Sequence, residues 1–349
     1  MLKINISISL LNSPSSNSLN LLKKGKITVG YKTIRKTCKT IKKKKREPIK
    51  LPEGFTIKNL EKENFNEVIQ FIKNNYKDKI DSSLSLEYSD EFIKWYLVNH
   101  CKKEYCLVLF YLNELVGFIS GSEVNLCVNK EIRLFLGVNF LCLHLNFRNK
   151  KLAPLLISQL TFIANENNIF HAIFTGGKSF PFSFVKVNYF HRPINPKKLI
   201  ESKYLFYYDE PELKSELKLS IPTKEDISQI LKLYHQNNKN MKIYEYLSLE
   251  KAEKIFLPVN NSVITYVLKK DGKVEEYISY FLISTFLNYS NQSIKAAYLH
   301  SWYSNNIRLL LNESFLLLKE ENVDVVNCLG FGKNLRFVKN DDFLEGTGM

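Results

Sequence analysis

The chain of 349 residues is 45% apolar and carries a formal net charge of +15, from 50 Lys and Arg against 35 Asp and Glu. That length and composition suit two packed domains or one large two-lobed body and exclude a wholly disordered chain. A generally basic fold is excluded too: thirteen cations and no acid fall in residues 1–46, which leaves 37 cations against 35 acids beyond them.

Residues 1–50 therefore read as a basic, disordered N-terminal tail. Its run Lys42-Lys43-Lys44-Lys45-Arg46 suits polyanions such as ribosomal RNA or an acidic membrane surface. The apolar start Ile4–Leu11 is broken by Asn5, Ser7 and Ser9 and makes a poor signal peptide. No apolar run reaches the ~18 residues of a membrane span.

Pro52-Glu53-Gly54-Phe55 opens the folded part. Residues 64–77 read as a helix, with Phe65, Val68, Ile69 and Ile72 on one side. Residues 105–111 and 115–121 are apolar, β-rich runs joined at Asn113-Glu114, a hairpin. Residues 138–145 predict a strand, 153–167 an amphipathic helix with Leu155, Leu156, Leu160 and Ile163 in phase, and 170–175 a strand. The second half repeats this order. Residues 224–237 predict a helix, and 263–269 with 276–283 a hairpin across Asp271-Gly272, a strong turn signal. Residues 294–302 predict a strand, 307–321 a helix and 323–329 a strand. Two tandem α/β units of about 140 residues each follow, packed with pseudo-two-fold symmetry.

The order matches the acyl-CoA N-acyltransferase (GNAT-like) fold, a mixed sheet flanked by helices. In that fold a central strand splays from its neighbour to admit a pantetheine arm. The diphosphate then meets the start of the next helix, where free N–H groups and the dipole favour anions. Here Val138–His144 leads through Arg148-Asn149-Lys150-Lys151 into Leu152-Ala153-Pro154. Arg148 to Ala153 keeps the RxxxxA spacing of the diphosphate loop, with Lys151 where a glycine is usual. The six cysteines (38, 101, 106, 127, 142, 328) show no CxxC spacing and read as reduced thiols of a cytosolic protein, with no metal site.

Asn139-Phe140-Leu141-Cys142-Leu143-His144 and the following Arg-x-Lys-Lys-Leu-Ala-Pro resemble the signature of glycylpeptide N-myristoyltransferases. Other collinear runs resemble the same family: Pro52–Phe55, Glu87–Phe92, Leu115–Ser120, Phe174–Gly177, Tyr189–Ile200, Ser284-Thr285 and Lys295–Tyr298. The resemblance spans residues 52–349. It implies an acyl-CoA-binding lobe over 51–205 and a peptide-binding lobe over 206–349 that is short at its end.

The resemblance implies transfer of myristate from myristoyl-CoA, a co-substrate rather than a bound cofactor, to the N-terminal glycine of nascent proteins. The amine attacks the thioester directly. The backbone N–H groups of Phe140 and Leu141 would form an oxyanion hole, typically worth ~3 kcal/mol per donor. Asn139 and Thr175 would position the amine. Cys142 and Leu143 would line the acyl-CoA path, and Arg148, Asn149, Lys150, Lys151, Leu152, Ala153 and Pro154 the phosphate site. Tyr76, Asp78, Asp81, Tyr88, Gly177, Tyr189, His191 and Ser284 would line the peptide groove. The acidic peptide loop is thinned to Asp78 and Asp81, which implies a weaker preference for basic substrates. A monomer in the cytoplasm is expected, associated through its tail with ribosomes or membranes.

The resemblance is incomplete at three places. The family's acidic position between its last two glycines is Thr347 here. The family's segment that closes over CoA has at most a remnant in Gly30-Tyr31-Lys32-Thr33. The family also continues beyond the position of Met349 to a chain-terminal carboxylate that takes the proton from the glycine ammonium. A catalytically inactive acyl-CoA- or peptide-binding relative and an acetyltransferase of the same fold are the alternatives.

Overall fold

The structure is a computed structural model and describes residues 4–10, 49–76, 84–176, 183–214, 217–339 and 343–346. Its first elements are β1 (Ile4–Leu10), β2 (Phe55–Asn59), α1 (Phe65–Asn75), β3 (Leu84–Glu87), α2 (Asp90–His100), β4 (Cys101–Tyr111), β5 (Glu114–Val128), β6 (Glu131–Leu143), α3 (Leu152–Glu166), β7 (His171–Gly176) and β8 (Ser183–Val187). Then come β9 (Tyr189–Pro193), α4 (Pro196–Glu201), β10 (Leu219–Ser220), α5 (Ile227–Asn238), β11 (Ile243–Glu245), α6 (Leu249–Phe256), β12 (Val263–Lys270) and β13 (Lys273–Leu282). The chain continues with β14 (Ser284–Leu287), β15 (Gln292–Ile294), β16 (Ala296–Tyr303), α7 (Ile307–Glu320), β17 (Val325–Leu329) and β18 (Leu344–Glu345).

The chain divides into two units, one of residues 3–76 and 96–187, the other mainly of 77–95 and 188–349. In the first, strands run in the order β2-β4-β5-β6-β7-β1-β8. All neighbours are antiparallel except β6 and β7. Helix α3 places Leu152, Leu156, Leu160 and Ala164, one turn apart, in a core with Leu107, Leu109, Ile119 and Leu136. In the second unit the order is β10-β12-β13-β16-β17-β9-β18, and β16 with β17 is again the parallel pair. Helix α7 buries Leu310, Leu311, Phe315 and Leu318 against it. Hairpin, strand, helix, parallel strand thus occurs in both units, as the sequence order predicts.

The hairpin tips obey turn chemistry. Asp271 and Gly272 both have positive φ (49° and 73°), as a two-residue primed turn needs. Leu112 and Asn113 do the same at the first hairpin, one residue earlier than predicted. The β5–β6 hairpin extends to Asn129 and Lys130 (φ 54° and 69°), well past the expected strand ends.

Three expected boundaries are corrected. The break between lobes falls at Val187–Asn188 rather than after residue 205, because β9 pairs with β17 in the second sheet. Residues 77–95 belong with that second unit, where β3 pairs with β14 and Trp95 Nε1 donates to Lys254 O at 3.1 Å. Within the segment expected to be a disordered tail, Ile4–Leu10 is a strand paired with β7 and β8. Its alternation of Ile4, Ile6, Ile8 and Leu10 with polar residues has the strand period. The rest of that tail lies outside the described residues.

Two histidines tie this fold to pH. Burial pushes His171, against the Phe135 ring, and His300, against the Phe281 ring, down to about 4. The unfolded chain protonates them near 6.5, so their contribution is full above that pH and is lost as pH falls toward 4. Melting temperature should fall between pH 7 and 4.5, and His300→Phe should flatten part of that slope.

Candidate active site

The first unit's site begins where β6 leaves β7. Only Leu136–Ala172 and Gly137–Ile173 pair across these parallel strands. Continuing that register sets Asn139 level with Thr175 on the two diverging strands. On its other side β6 is bulged: Phe118 pairs with Cys142 and Ser120 with Asn139, so Phe140 and Leu141 share Ile119 as their opposite residue. A two-against-one bulge re-aims backbone groups out of the ladder. Phe140 has φ of 49°, a conformation costing a non-glycine residue roughly 1–2 kcal/mol. It is held there by two edge-on aromatic contacts, from Tyr76 and Tyr96, each with centroids 5.3 Å apart.

The hydrogen bonds around the bulge are specific. Ser120 Oγ donates to Asn139 O at 3.1 Å, and Phe140 N donates to Asn139 Oδ1 at 3.1 Å. The expected oxyanion donor Phe140 N–H is therefore engaged by a neutral amide oxygen. Cys142 is buried and its thiol is pushed up to about 12 by burial, against the lowering influence of Arg148. A thiol so far from ionising is a poor nucleophile, in keeping with direct attack by the amine. Cys101 and Cys106 pair with Ser122 and Ser120 and hydrogen-bond one another.

From Leu143 the chain enters a one-turn 3-10 segment, Leu145–Phe147, and then the cationic loop. Arg148 does something the sequence did not indicate. Its Nε donates to Leu143 O at 3.0 Å and its Nη2 to Asn75 O at 2.7 Å, so it pins the loop to β6 and to the end of α1. Lys150 Nζ lies 5.0 Å from the Phe147 ring centroid. Asn149 and Lys151 both have left-handed backbones (φ 64° and 59°). Lys151 is the N-cap of α3 and gives no side-chain hydrogen bond to the first turn. Pro154, in that turn, has no N–H to leave unpaired. Exposed Asn149, Lys150 and Lys151 thus surround a helix start whose amides and dipole favour an anion.

The positive φ also explains the glycine usual at the Lys151 position. Lys151→Gly should raise unfolding free energy by about 0.5–1 kcal/mol, since relief of left-handed strain exceeds the added chain entropy. Thermal or urea unfolding checks this; a lower midpoint would contradict the strain argument.

Among its described residues the second unit holds four of the eight expected peptide-groove residues, Tyr189 and His191 on β9, Ser284 at the start of β14 and Tyr88 just after β3, while Tyr76 belongs to the first unit. His191 Nδ1 and Asn327 Oδ1 are 2.6 Å apart, which makes Nδ1 the protonated nitrogen, and burial pushes its pKa down. Tyr189 meets Tyr298 edge-on at 5.8 Å. The Tyr298 hydroxyl hydrogen-bonds Asn327 and Thr285. Ser284, next to Thr285, pairs with Glu87, next to Tyr88. Gly346 N donates to Tyr189 O at 2.9 Å, and a Cβ there would lie 2.7 Å from His191 Nε2. Downstream, Asp324 explains the Asn195-Pro196-Lys197-Lys198 run: Lys198 Nζ, Asn195 Nδ2 and Lys295 N all donate to its carboxylate at 2.6–3.2 Å. Asp78, Asp81 and Gly177 lie outside the described residues. Tyr96, Asn327 and Thr285 are site residues that the sequence analysis missed.

A splayed parallel pair, a bulged strand and an uncapped helix behind a cationic loop define an N-acyltransferase fold. A GCN5-related N-acetyltransferase from Anabaena variabilis shares it with a TM-score of 0.52 at 10% identity, covering 84% of this chain and 70% of that one. The particular family is narrower. Residues 34–187 match the family description "Myristoyl-CoA:protein N-myristoyltransferase, N-terminal domain" and 186–349 the corresponding C-terminal domain, and the chain belongs to that family. Glycylpeptide N-tetradecanoyltransferase of Plasmodium falciparum is 31% identical, over 87% of this chain and 80% of that one. A probable glycylpeptide N-tetradecanoyltransferase of Caenorhabditis elegans is 30% identical, over 86% and 72%. The crystal structure of Saccharomyces cerevisiae N-myristoyltransferase with bound myristoyl-CoA superposes with a TM-score of 0.78 at 25% identity, covering 86% of this chain and 82% of that one.

Proposed function

We propose that this chain transfers the tetradecanoyl group of myristoyl-CoA to the N-terminal glycine amine of protein substrates. The observation that carries the proposal is the bulge at Phe140–Leu141 on the open side of β6, continuous with the loop Arg148–Lys151 and the start of α3. In this reading the CoA phosphates meet Asn149, Lys150, Lys151 and the amides of Leu152 and Ala153, while Arg148 holds that loop in place. The pantetheine arm lies in the gap between β6 and β7. The thioester oxygen takes the N–H groups of Phe140 and Leu141 as charge develops on it. A developing oxyanion outcompetes the neutral Asn139 Oδ1 now at Phe140 N, because charge-assisted bonds are roughly twice as strong.

Asn139 and Thr175 hold the amine. Its lone pair attacks the carbonyl carbon, the C–S bond breaks as the amide forms, and CoA leaves as the thiol. Tyr76, Tyr88, Tyr189, His191 and Ser284 contact the peptide. The amine must first lose a proton, so kcat/KM for peptide should rise with pH until its pKa near 8. The thinned acidic loop gives a weak preference for a downstream Lys, and the basic segment before residue 47 docks on anionic membranes or ribosomal RNA around a cytoplasmic monomer. Among the described residues no helix is long and apolar enough to cross a membrane.

The test is transfer of labelled myristate from myristoyl-CoA to a Gly-initiated peptide, with an Ala-initiated peptide as control. Transfer to Gly alone is expected. Tight binding of myristoyl-CoA without transfer would leave a non-catalytic acyl-CoA binder, and no binding would refute the acyl-donor assignment.

A further inference from the structure

We propose that Tyr96, on α2, is a positioning residue that fixes the orientation of the Asn139 side-chain amide and so aims its acceptor oxygen at the incoming amine. The proposal rests on the amine-holding part given above to Asn139. The Tyr96 ring stands edge-on to Phe140 at 5.3 Å and 84°. Its hydroxyl hydrogen-bonds the side chains of Asn139 and Ser122. Ser122 gives its one hydroxyl hydrogen to Gly137 O, so the Tyr96 hydroxyl donates to Ser122 Oγ and accepts from Asn139 Nδ2. Its other end is fixed as well, since Phe140 N donates to Asn139 Oδ1. An Asn amide can present either end to a substrate. While Nδ2 is given to Tyr96 and Oδ1 to a backbone donor, only one orientation satisfies both partners, and once the oxyanion takes the Phe140 N–H the Tyr96 bond alone keeps that orientation. Oδ1 keeps a second lone pair, which an amine N–H can take.

Burial raises the Tyr96 pKa strongly, so the hydroxyl stays neutral and supplies no proton to the reaction. It acts through Asn139 alone. The residue also locks the bulge: its ring and that of Tyr76 flank a phenylalanine whose backbone is in the left-handed region. Tyr96→Phe keeps the ring contact and removes only the hydroxyl, which separates the two contributions.

The experiment is a double-mutant cycle of Tyr96→Phe and Asn139→Ala in the full chain, reading kcat, KM for myristoyl-CoA and KM for a Gly-initiated peptide. Tyr96→Phe should lower kcat about five- to tenfold, the loss of one hydrogen bond's worth of alignment, with KM for myristoyl-CoA within about twofold. On the Asn139→Ala background Tyr96→Phe should change kcat by less than about twofold, because the group it orients is gone. Additive losses, or a Tyr96→Phe effect confined to melting temperature or to KM for myristoyl-CoA, would overturn the proposal while leaving the Asn139 reading intact. If Asn139→Ala alone leaves kcat unchanged, both fall together.

Discussion

An Arg148→Ala variant is expected to lose about 2–3 kcal/mol of stability and to bind myristoyl-CoA at least roughly tenfold more weakly. The sequence places Arg148 among the phosphate ligands, yet its Nε and Nη2 are given to Leu143 O and Asn75 O. Charge-assisted bonds of this kind contribute about 1.5–3 kcal/mol each, discounted here because the side chain is only partly buried. Removing them frees the loop that carries Asn149, Lys150 and Lys151 to the start of α3. The binding loss is thus a loss of preorganisation. Arg148→Lys should rescue little, since one ammonium cannot reproduce a planar fork spanning two carbonyls. Thermal unfolding together with calorimetric titration of myristoyl-CoA checks both halves. Weaker binding at unchanged stability would instead make Arg148 a direct phosphate ligand.

Leu156→Ala should destabilise the protein by about 3 kcal/mol, with a fall in melting temperature of roughly 6–12 °C. Leu156 is fully buried at the middle of α3, between Leu152 and Leu160 on the same face. That face packs on β4, β5 and β6 among Leu107, Leu109, Ile119 and Leu136. Such a loss is a large part of the 5–15 kcal/mol that typically holds a domain. Because α3 also carries the anion-receptive turn, saturating myristoyl-CoA should recover part of the midpoint by mass action. An unchanged midpoint would mean that α3 is not anchored by this core.

Much of this was legible in the chain. The periodicity of Leu156 and Leu160 marks α3, Asp271-Gly272 marks its hairpin, and Arg148–Ala153 marks the loop before the helix. What was hidden depended on partners distant in sequence. Nothing near Tyr96 says that it meets Asn139, and nothing near Asn75 says that its carbonyl receives Arg148. The β5–β6 extension was missed because Asn129-Lys130 lacks the glycine that advertises a tight turn, although Asn tolerates the same backbone. The unit boundary was misplaced because Tyr189–Pro193 follows β8 almost at once, and only its pairing with Val325–Leu329 assigns it to the other sheet. The role of Lys151 was half visible: the missing glycine was apparent, the left-handed backbone it leaves behind was not.

The brevity of the β6–β7 pairing has a further consequence. Two rungs hold these neighbours, and beyond them each presents a rim of backbone amides and carbonyls to the gap. A pantetheine arm has amides of its own. Seated there, it substitutes for a length of missing backbone, much as an added peptide strand completes an open sheet edge. On the proposed reading the acyl donor would be an architectural element of the fold as well as a reactant, and each turnover would remove and restore a piece of the sheet. Slow amide hydrogen exchange along β6 and β7 in the loaded protein, and faster exchange once CoA has left, would be the signature of a sheet that its own substrate completes.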